Sequence, residues 1–209
     1  RIKGNNKYPL VLFLHGAEGR GSDNEQQLWD ANSIGAFAKQ KVSSKYQSYI
    51  FAPQVPEGER WVSAKWNVED YSMPSISSSM KLTFDALDAF IDKNKNVDTN
   101  RIYVLGLSMG GWGTWDAISR RPNYFAAAVP ICGGGDKVQA ANLNKVNIWA
   151  WHGKDDTVID VTKSQQMVKA IEAQKGNIRY TEIKGRGHDS WLDVWNHKEL
   201  WEWLYNQRK

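Results

Sequence analysis

The chain has 209 residues, of which 41% are hydrophobic and 24% charged, and this size predicts one folded domain with a sizeable core. Its formal net charge of +4 is small and its basic residues are scattered, so nucleic acid is not expected as a partner. The single cysteine, Cys132, excludes an internal disulfide framework, and no apolar run reaches the roughly 18 residues that a membrane-spanning helix needs.

The first half of the chain alternates apolar runs with segments of helical spacing. Residues 8–14 form a near-continuous apolar run, typical of a strand buried on both faces, and a Gly-rich polar loop follows at 15–24. The pattern then predicts a helix over 26–39 and a short strand over 49–53. The polar stretch 54–79 is long for a connection within one domain, so we expect it to have a functional role.

The second half continues this alternation. Apolar residues from Met80 to Ile91 recur at helical spacing, residues 98–100 predict a turn, and residues 101–105 predict a buried strand. The remaining predictions are helices over 112–121, 161–175 and 192–205 and strands over 125–131, 147–151 and 177–183. Such alternation predicts an α/β fold with a mostly parallel central sheet and helices on both faces. In sheets of this kind the site lies at the carboxyl ends of the strands.

Residues 106–110 read Gly-Leu-Ser-Met-Gly and fit the G-x-S-x-G pattern of a nucleophile elbow. A predicted strand precedes them and a predicted helix follows, which is the setting that this pattern needs. The turn is so tight that Gly106 and Gly110 must lack a side chain, and it exposes the hydroxyl of Ser108 at the end of the strand. The sequence therefore predicts Ser108 as a nucleophile.

A serine hydroxyl is a poor nucleophile at neutral pH unless a base lies within hydrogen-bond reach. With this elbow, an acid and then a histidine follow the serine along the chain. His152 precedes the available acids and is interpreted as a packing residue of its loop, and His197 is interpreted as solvated. His188 follows the last predicted strand in a Gly-rich loop and is therefore the predicted base.

The acid that orients this base is expected in the loop after the strand over 147–151. Asp155 and Asp156 both qualify, and spacing alone does not separate them, whereas Asp160 is placed to cap the following helix.

An oxyanion hole requires two main-chain N–H groups. One is expected from Met109, the residue after the nucleophile, and the other from the loop after the first strand, near Ala17. His15, just before it, is interpreted as a buried structural residue.

These motifs together resemble the α/β-hydrolase superfamily, and within it the phospholipase/carboxylesterase and feruloyl-esterase-like enzymes. The similarity runs over nearly the whole chain and rests on the segments 15–24, 98–101, 106–111, 130–134, 152–158 and 187–191. It implies a three-layer fold, Asp156 as the acid, an oxyanion hole from Ala17 and Met109, no metal and no cofactor. Members of this group have further strands before the one at 8–14, so residues 1–209 are expected to be a single catalytic domain of a longer polypeptide.

The resemblance implies a serine carboxylesterase that works through an acyl-enzyme, and the eleven tryptophans suggest its substrate. Aromatic side chains beside the predicted site favour acetyl or feruloyl esters of plant polysaccharide; they are Trp61, Trp66, Trp112, Trp191 and Trp195. A core position remains an equal alternative for these tryptophans. The alternative functions are a serine peptidase on the same scaffold and a non-catalytic glycan-binding module. A metal hydrolase is disfavoured because ligand spacing such as H-E-x-x-H is absent. A secreted location is expected.

Overall fold

Six parallel strands form one sheet in the computed structural model, which describes residues 6–63, 66, 68 and 71–209. Their order across the sheet is β2-β1-β3-β4-β5-β6, and every neighbouring pair runs parallel. The strands are β1 (Tyr8–Leu14), β2 (Tyr49–Phe51), β3 (Val97–Leu107), β4 (Ala127–Ile131), β5 (Asn147–Gly153) and β6 (Ile178–Ile183). Because β1, β4 and residues 102–107 of β3 are buried, these segments form continuous apolar runs in the sequence.

Helices cover both faces of this sheet. They are α1 (Gln26–Trp29), α2 (Ser33–Ala38), α3 (Gln40–Ser43), α4 (Ser78–Lys93), α5 (Met109–Arg120), α6 (Thr162–Ala173), α7 (Trp191–Val194) and α8 (Lys198–Asn206). None of the helices in the described ranges is long and apolar enough to cross a bilayer.

Two hydrophobic cores lie on opposite faces of the sheet. Leu10, Leu12 and Leu14 of β1 point into one core, which α4, α5 and α6 cover. Val11 and Phe13 alternate with them and point into the other core, which α2, α3 and α8 cover. The predicted three-layer α/β fold is confirmed.

Two predicted helices are broken in the structure. The segment 26–39 is divided because Ala31 and Asn32 adopt left-handed backbone angles, with φ of 52° and 51°, which stop the helical hydrogen-bond pattern. The segment 192–205 is divided at His197, whose extended backbone starts α8 as a separate helix. A third difference is the predicted turn at 98–100, which lies within β3 because this strand begins at Val97, opposite Tyr8.

Gly110 lies where α5 packs against the end of β1. A Cβ atom at this position would lie 1.9 Å from the carbonyl oxygen of Leu14. A glycine-to-alanine change inside a helix ordinarily stabilises a protein by about 1 kcal/mol. At Gly110 the clash makes the same change destabilising, so we expect Gly110→Ala to lower the free energy of unfolding by about 3 kcal/mol. This is measured by urea denaturation followed by tryptophan fluorescence.

Gly187→Ala is the matched control, because a Cβ atom there would meet nothing closer than the Asp155 carbonyl oxygen at 3.8 Å. It should change the stability by well under about 1 kcal/mol. A Gly110→Ala protein as stable as the parent would contradict the close packing of α5 on β1.

Candidate active site

Ser108 occupies the turn between β3 and α5 in a strained conformation. Its φ of 54° and ψ of −118° lie in a region that a residue with a side chain rarely adopts. The turn requires glycine at position 106, where backbone packs directly against backbone. A Cβ atom on Gly106 would lie only 2.2 Å from the carbonyl oxygen of Gly110. The amide of Ser108 donates to the carbonyl of Ile131 in β4 at 2.9 Å, which fixes the turn to the neighbouring strand.

Three side chains from distant parts of the chain form a continuous hydrogen-bonded chain. His188 Nε2 lies 2.8 Å from Ser108 Oγ, and His188 Nδ1 lies 2.8 Å from Asp156 Oδ2. The loops that follow β3, β5 and β6 carry these residues to the same edge of the sheet. The structure thus brings together the predicted serine, base and acid.

The carboxylate of Asp156 is fully buried and accepts hydrogen bonds on both oxygens. Oδ1 accepts from the amides of Val158 and Ile159 at 2.8 and 2.9 Å, whereas Oδ2 faces His188 and also His152 Nε2 at 3.2 Å. Burial alone would raise the pKa of Asp156, but the hydrogen bonds from the two imidazoles and the two amides outweigh it and hold this pKa well below its usual range. Asp156 is therefore ionised at neutral pH.

The residues that sequence reasoning set aside occupy different surroundings. Asp155 is exposed, so it is not the acid that contacts His188. His152 is completely buried and contacts Asp156 directly, which its interpretation as a loop-packing residue did not predict. His197 was expected to be solvated, but it is half-buried because its ring packs edge-on against Trp149 and Trp151.

Two main-chain amides predicted to bind an oxyanion, those of Ala17 and Met109, lie at the starts of helical segments. Met109 is the first residue of α5 and Ala17 the first of a single 3-10 turn, so neither amide has a partner within its own helix. Among the described residues, neither amide donates a hydrogen bond to any other group. The preceding amide, that of Gly16, donates to Asp30 Oδ2 at 2.6 Å and anchors the loop that carries Ala17.

Asp30 and Arg20 border this pair of amides, and sequence reasoning missed both. Burial raises the pKa of Asp30, while the hydrogen bond from Gly16 opposes that shift. The guanidinium of Arg20 lies 3.2 Å from the sulfur of Met109 and donates to the carbonyl of Glu59, so it brings a positive charge close to the α5 N-terminus. Both contacts join residues far apart in the chain, and no local pattern signals them.

His15 is a buried structural residue, as its position after β1 suggested. Its Nε2 accepts from the amide of Val55 at 3.0 Å, and its Nδ1 faces the carbonyl of Gly16 at 2.6 Å. Burial lowers the pKa of His15 to about 4, more than the Gly16 carbonyl raises it, so the ring is neutral at physiological pH.

The prediction of substrate-binding tryptophans is wrong for three of the five. Trp61 and Trp112 are each 1% exposed and Trp195 is 4% exposed, so these rings pack in the core and present no face to a ligand. The Trp61 indole, for example, donates to the carbonyl of His15 at 2.9 Å. Trp66 and Trp191 are partly exposed, and the Trp191 ring packs edge-on against His188 with centroids 5.4 Å apart.

Trp29, which the sequence pattern placed within a helix, is the most exposed large hydrophobic residue in the described part of the chain, at 77%. It ends α1, and contacts on both sides of it connect α1 to the loop after β1. Gln26 donates to the carbonyl of Glu18, and Asp30 accepts from the amide of Gly16. Trp29 therefore lies beside the loop that follows β1. A helical periodicity alone could not reveal this exposure.

One group of possible metal ligands is found among the described residues, and it overlaps this site. It comprises Cys132, Asp156 and His188, whose ligand atoms lie within 4.8 Å of one another. Burial raises the pKa of the Cys132 thiol to about 12, so it is protonated at neutral pH and is a poor metal ligand in this state.

Comparison with known proteins places the chain among ester-hydrolysing relatives. It is 36% identical over 83 residues to the bifunctional acetylxylan esterase/xylanase XynS20E of Neocallimastix patriciarum. This match covers 39% of this chain and 12% of that protein. It is 31% identical over 160 residues to the poly(3-hydroxybutyrate) depolymerase of Ralstonia pickettii, covering 70% of this chain and 32% of that protein. The chain thus spans less than half the length of both curated relatives.

The crystal structure of a thermostable esterase superposes on all of this chain with a TM-score of 0.92 and 34% sequence identity, and the match covers 57% of the esterase. The resemblance to the α/β-hydrolase superfamily is thereby confirmed. The family model for the dienelactone hydrolase family matches residues 50–189, which include Ser108, Asp156 and His188. The chain belongs to the dienelactone hydrolase family.

Proposed function

We propose that the chain is a serine carboxylesterase that hydrolyses carboxylic esters through an acyl-enzyme intermediate. The observation that carries this proposal is the unbroken hydrogen-bonded chain from Ser108 Oγ through His188 to Asp156. An ionised carboxylate, an imidazole and a hydroxyl in this order are the groups that nucleophilic ester hydrolysis needs.

The first half of the reaction acylates Ser108. Its hydroxyl attacks the ester carbonyl while His188 Nε2 takes the proton, and Asp156 holds the ring in orientation and stabilises the imidazolium that forms. The amides of Ala17 and Met109 donate to the oxygen of the tetrahedral intermediate. The intermediate collapses when His188 returns the proton to the alkoxide oxygen of the leaving group, and the alcohol departs.

The second half releases the acid. Water takes the place of the alcohol, His188 removes a proton from it, and the resulting hydroxide attacks the acyl carbon. The same two amides hold the second oxyanion. Proton return to Ser108 Oγ breaks the acyl bond and restores the starting hydrogen-bonded chain.

The substrate in this proposal is an acetyl or feruloyl ester carried on plant polysaccharide. Support comes from the name of the acetylxylan esterase relative and from two tryptophans: Trp191 is partly exposed and packs against His188, and Trp29 is exposed beside the loop after β1. Aromatic faces suit both groups, because a sugar ring presents an apolar C–H face and ferulate presents an aromatic ring that can stack. The proposal includes a secreted protein in which residues 1–209 form one catalytic domain.

Replacement of the nucleophile tests the reaction type. Ser108→Ala removes the attacking oxygen, so we expect kcat/KM for p-nitrophenyl acetate to fall by about four orders of magnitude or more while the circular dichroism spectrum stays unchanged. Labelling by a fluorophosphonate probe should disappear in the same variant.

Ser119→Ala is the control. Ser119 is also a buried serine, but it lies near the C-terminus of α5, whereas Ser108 precedes the N-terminus of that helix. It should retain both hydrolysis and labelling. A Ser108→Ala protein with activity close to the parent would refute the serine mechanism.

A substrate panel tests the ester class. We expect hydrolysis of p-nitrophenyl acetate, methyl ferulate and acetylated xylan, with the polymer or ferulate preferred, because Trp191 packs against His188 and Trp29 is exposed beside the loop after β1. Release of acetate and ferulate is measured by chromatography. Cleavage restricted to long-chain acyl esters would contradict the carbohydrate proposal, and cleavage of a peptide amide in place of esters would identify a peptidase.

Trp29 tests the role of the aromatic surface. Trp29→Ala should raise KM for acetylated xylan by about tenfold, which corresponds to about 1.4 kcal/mol of lost contact, and should leave KM for p-nitrophenyl acetate unchanged. Leu82→Ala is the matched control, since Leu82 is a 66% exposed apolar side chain on α4. Equal KM values for the polymer in both variants would exclude Trp29 from substrate binding.

A further inference from the structure

A groove of about 680 Å³ lies between α3 and the start of α8, and four exposed lysines line it. Three of them lie in or beside α3 and the fourth is the first residue of α8; they are Lys39, Lys41, Lys45 and Lys198. The amine of Lys39 donates to Asn196 Oδ1 at 3.0 Å and joins the two sides. We call this feature the lysine groove. The mechanism derived above does not use it.

Positive charge dominates the lysine groove. Among the described residues that line it, Glu202 is the one carboxylate beside the four amines. None of these amines forms an ion pair within the described ranges, whereas Lys81 on α4 pairs with Asp85 at 2.7 Å. Because the whole chain has a net charge of +4, most of its surplus positive charge lies along this groove. Like charges held together repel, so an anionic ligand would relieve this repulsion.

The groove has an apolar and aromatic floor beneath the amines. The rings of Trp195 and Trp201 are buried and stack with centroids 6.5 Å apart. The ring of Tyr46 is partly exposed and stacks on Tyr205, with centroids 4.7 Å apart and 4° between the ring planes. Because these rings pack closely against one another, the floor has a fixed shape.

The chemistry of this lining favours a carboxylate carried on a sugar chain. A flat apolar floor accommodates the C–H face of a sugar ring, and the exposed side-chain amide of Gln40 can hydrogen-bond to hydroxyl groups. The described lining residues include no arginine, so the planar fork that binds phosphate in two places is missing. The buried rings of Trp195 and Trp201 offer no open face on which a nucleobase could stack. An anionic polysaccharide therefore fits the groove better than a nucleic acid does.

The short helix α7 connects this groove to the candidate active site. Trp191, its first residue, packs edge-on against His188 with ring centroids 5.4 Å apart. The amide of Trp195 donates to the carbonyl of Trp191 at 2.9 Å, and Trp195 lines the groove. One helical turn, about 5.4 Å, thus separates the groove from the residue that contacts His188. A polymer with an ester at Ser108 is long enough to reach the amines.

We propose that the lysine groove binds the uronate groups of an acidic polysaccharide, the polymer whose ester lies at Ser108. The amines attract the carboxylates, and the aromatic floor supports the sugar rings. The identity of the polymer as a substrate rests on the proposed esterase function. The binding of uronates does not, because the groove contains none of the groups that carry out hydrolysis.

Isothermal titration calorimetry with tetragalacturonate tests the binding on the parent protein. This ligand has carboxylates and no ester, so hydrolysis plays no part. We expect it to bind at low ionic strength and neutral xylotetraose to bind at least about tenfold more weakly, because the amines act on a charged ligand alone. Added salt should weaken the binding of tetragalacturonate.

A triple variant locates this binding. Lys39→Gln, Lys41→Gln and Lys198→Gln together remove three charges from the groove while keeping polar side chains of similar length. Since the remaining attraction is that of one amine, we expect the affinity for tetragalacturonate to fall by about tenfold or more.

The matched control changes the net charge by the same amount away from the groove. It replaces three exposed lysines by glutamine; they are Lys93, Lys145 and Lys169. Its affinity for tetragalacturonate should stay within about twofold of the parent value, because exposed charges more than a Debye length apart are largely screened.

The kinetic consequence is measured with acetylated glucuronoxylan. KM for this polymer should rise about tenfold in the groove variant, whereas KM for p-nitrophenyl acetate, which is too small to reach the groove, should be unchanged. The control variant should keep both values.

Four results would overturn the proposal. They are no binding of tetragalacturonate by the parent protein, equal losses of affinity in the two triple variants, tighter binding of a short oligothymidylate that the groove variant loses, and an unchanged KM for the polymer in the groove variant. Failure of the esterase assignment is distinguishable, because it would show as unchanged hydrolysis in Ser108→Ala and would leave the calorimetric result as it is.

Discussion

The site depends on backbone packed directly against backbone at the strand-to-helix turn. Cβ atoms added to Gly110 and Gly111 would lie 1.9 Å from the Leu14 carbonyl and 2.3 Å from the Ile131 carbonyl. The start of α5 is therefore seated on the ends of β1 and β4. This close approach holds Ser108 in a strained conformation at the start of the helix, where the first amides have no partner within the helix.

The strands β5 and β6 position the side chains that are hydrogen-bonded to Ser108 directly or through His188. β5 carries His152 and the loop with Asp156, and the loop after β6 carries His188. Their contacts form one network that runs from Ser164 in α6 through His152, Asp156 and His188 to Ser108. Because a fully satisfied polar network of this kind rigidifies the residues that form it, the His188 ring is held in a defined position.

Much of the fold could be predicted from the sequence, because buried parallel strands leave continuous apolar runs and because the G-x-S-x-G pattern marks a tight turn. The break of the first predicted helix could not be predicted, since alanine favours helices and gives no sign of the left-handed angles that Ala31 adopts, and Asn32 alone is a weak signal. The tryptophans were similarly ambiguous. Trp61 and Trp112 are buried and Trp29 is exposed, yet all three lie in segments next to the same edge of the sheet.

By itself the sequence determined the α/β architecture, the candidate nucleophile and the histidine most suited to act on it, since each has a local pattern tied to backbone geometry. Only the tertiary structure separated Asp155 from Asp156 by direct contact and showed that His152 touches the same carboxylate as His188. It also placed Asp30 and Arg20 beside the free amides. The physical reason is that these are contacts between side chains far apart in the chain, and their distances depend on how the loops pack at the sheet edge.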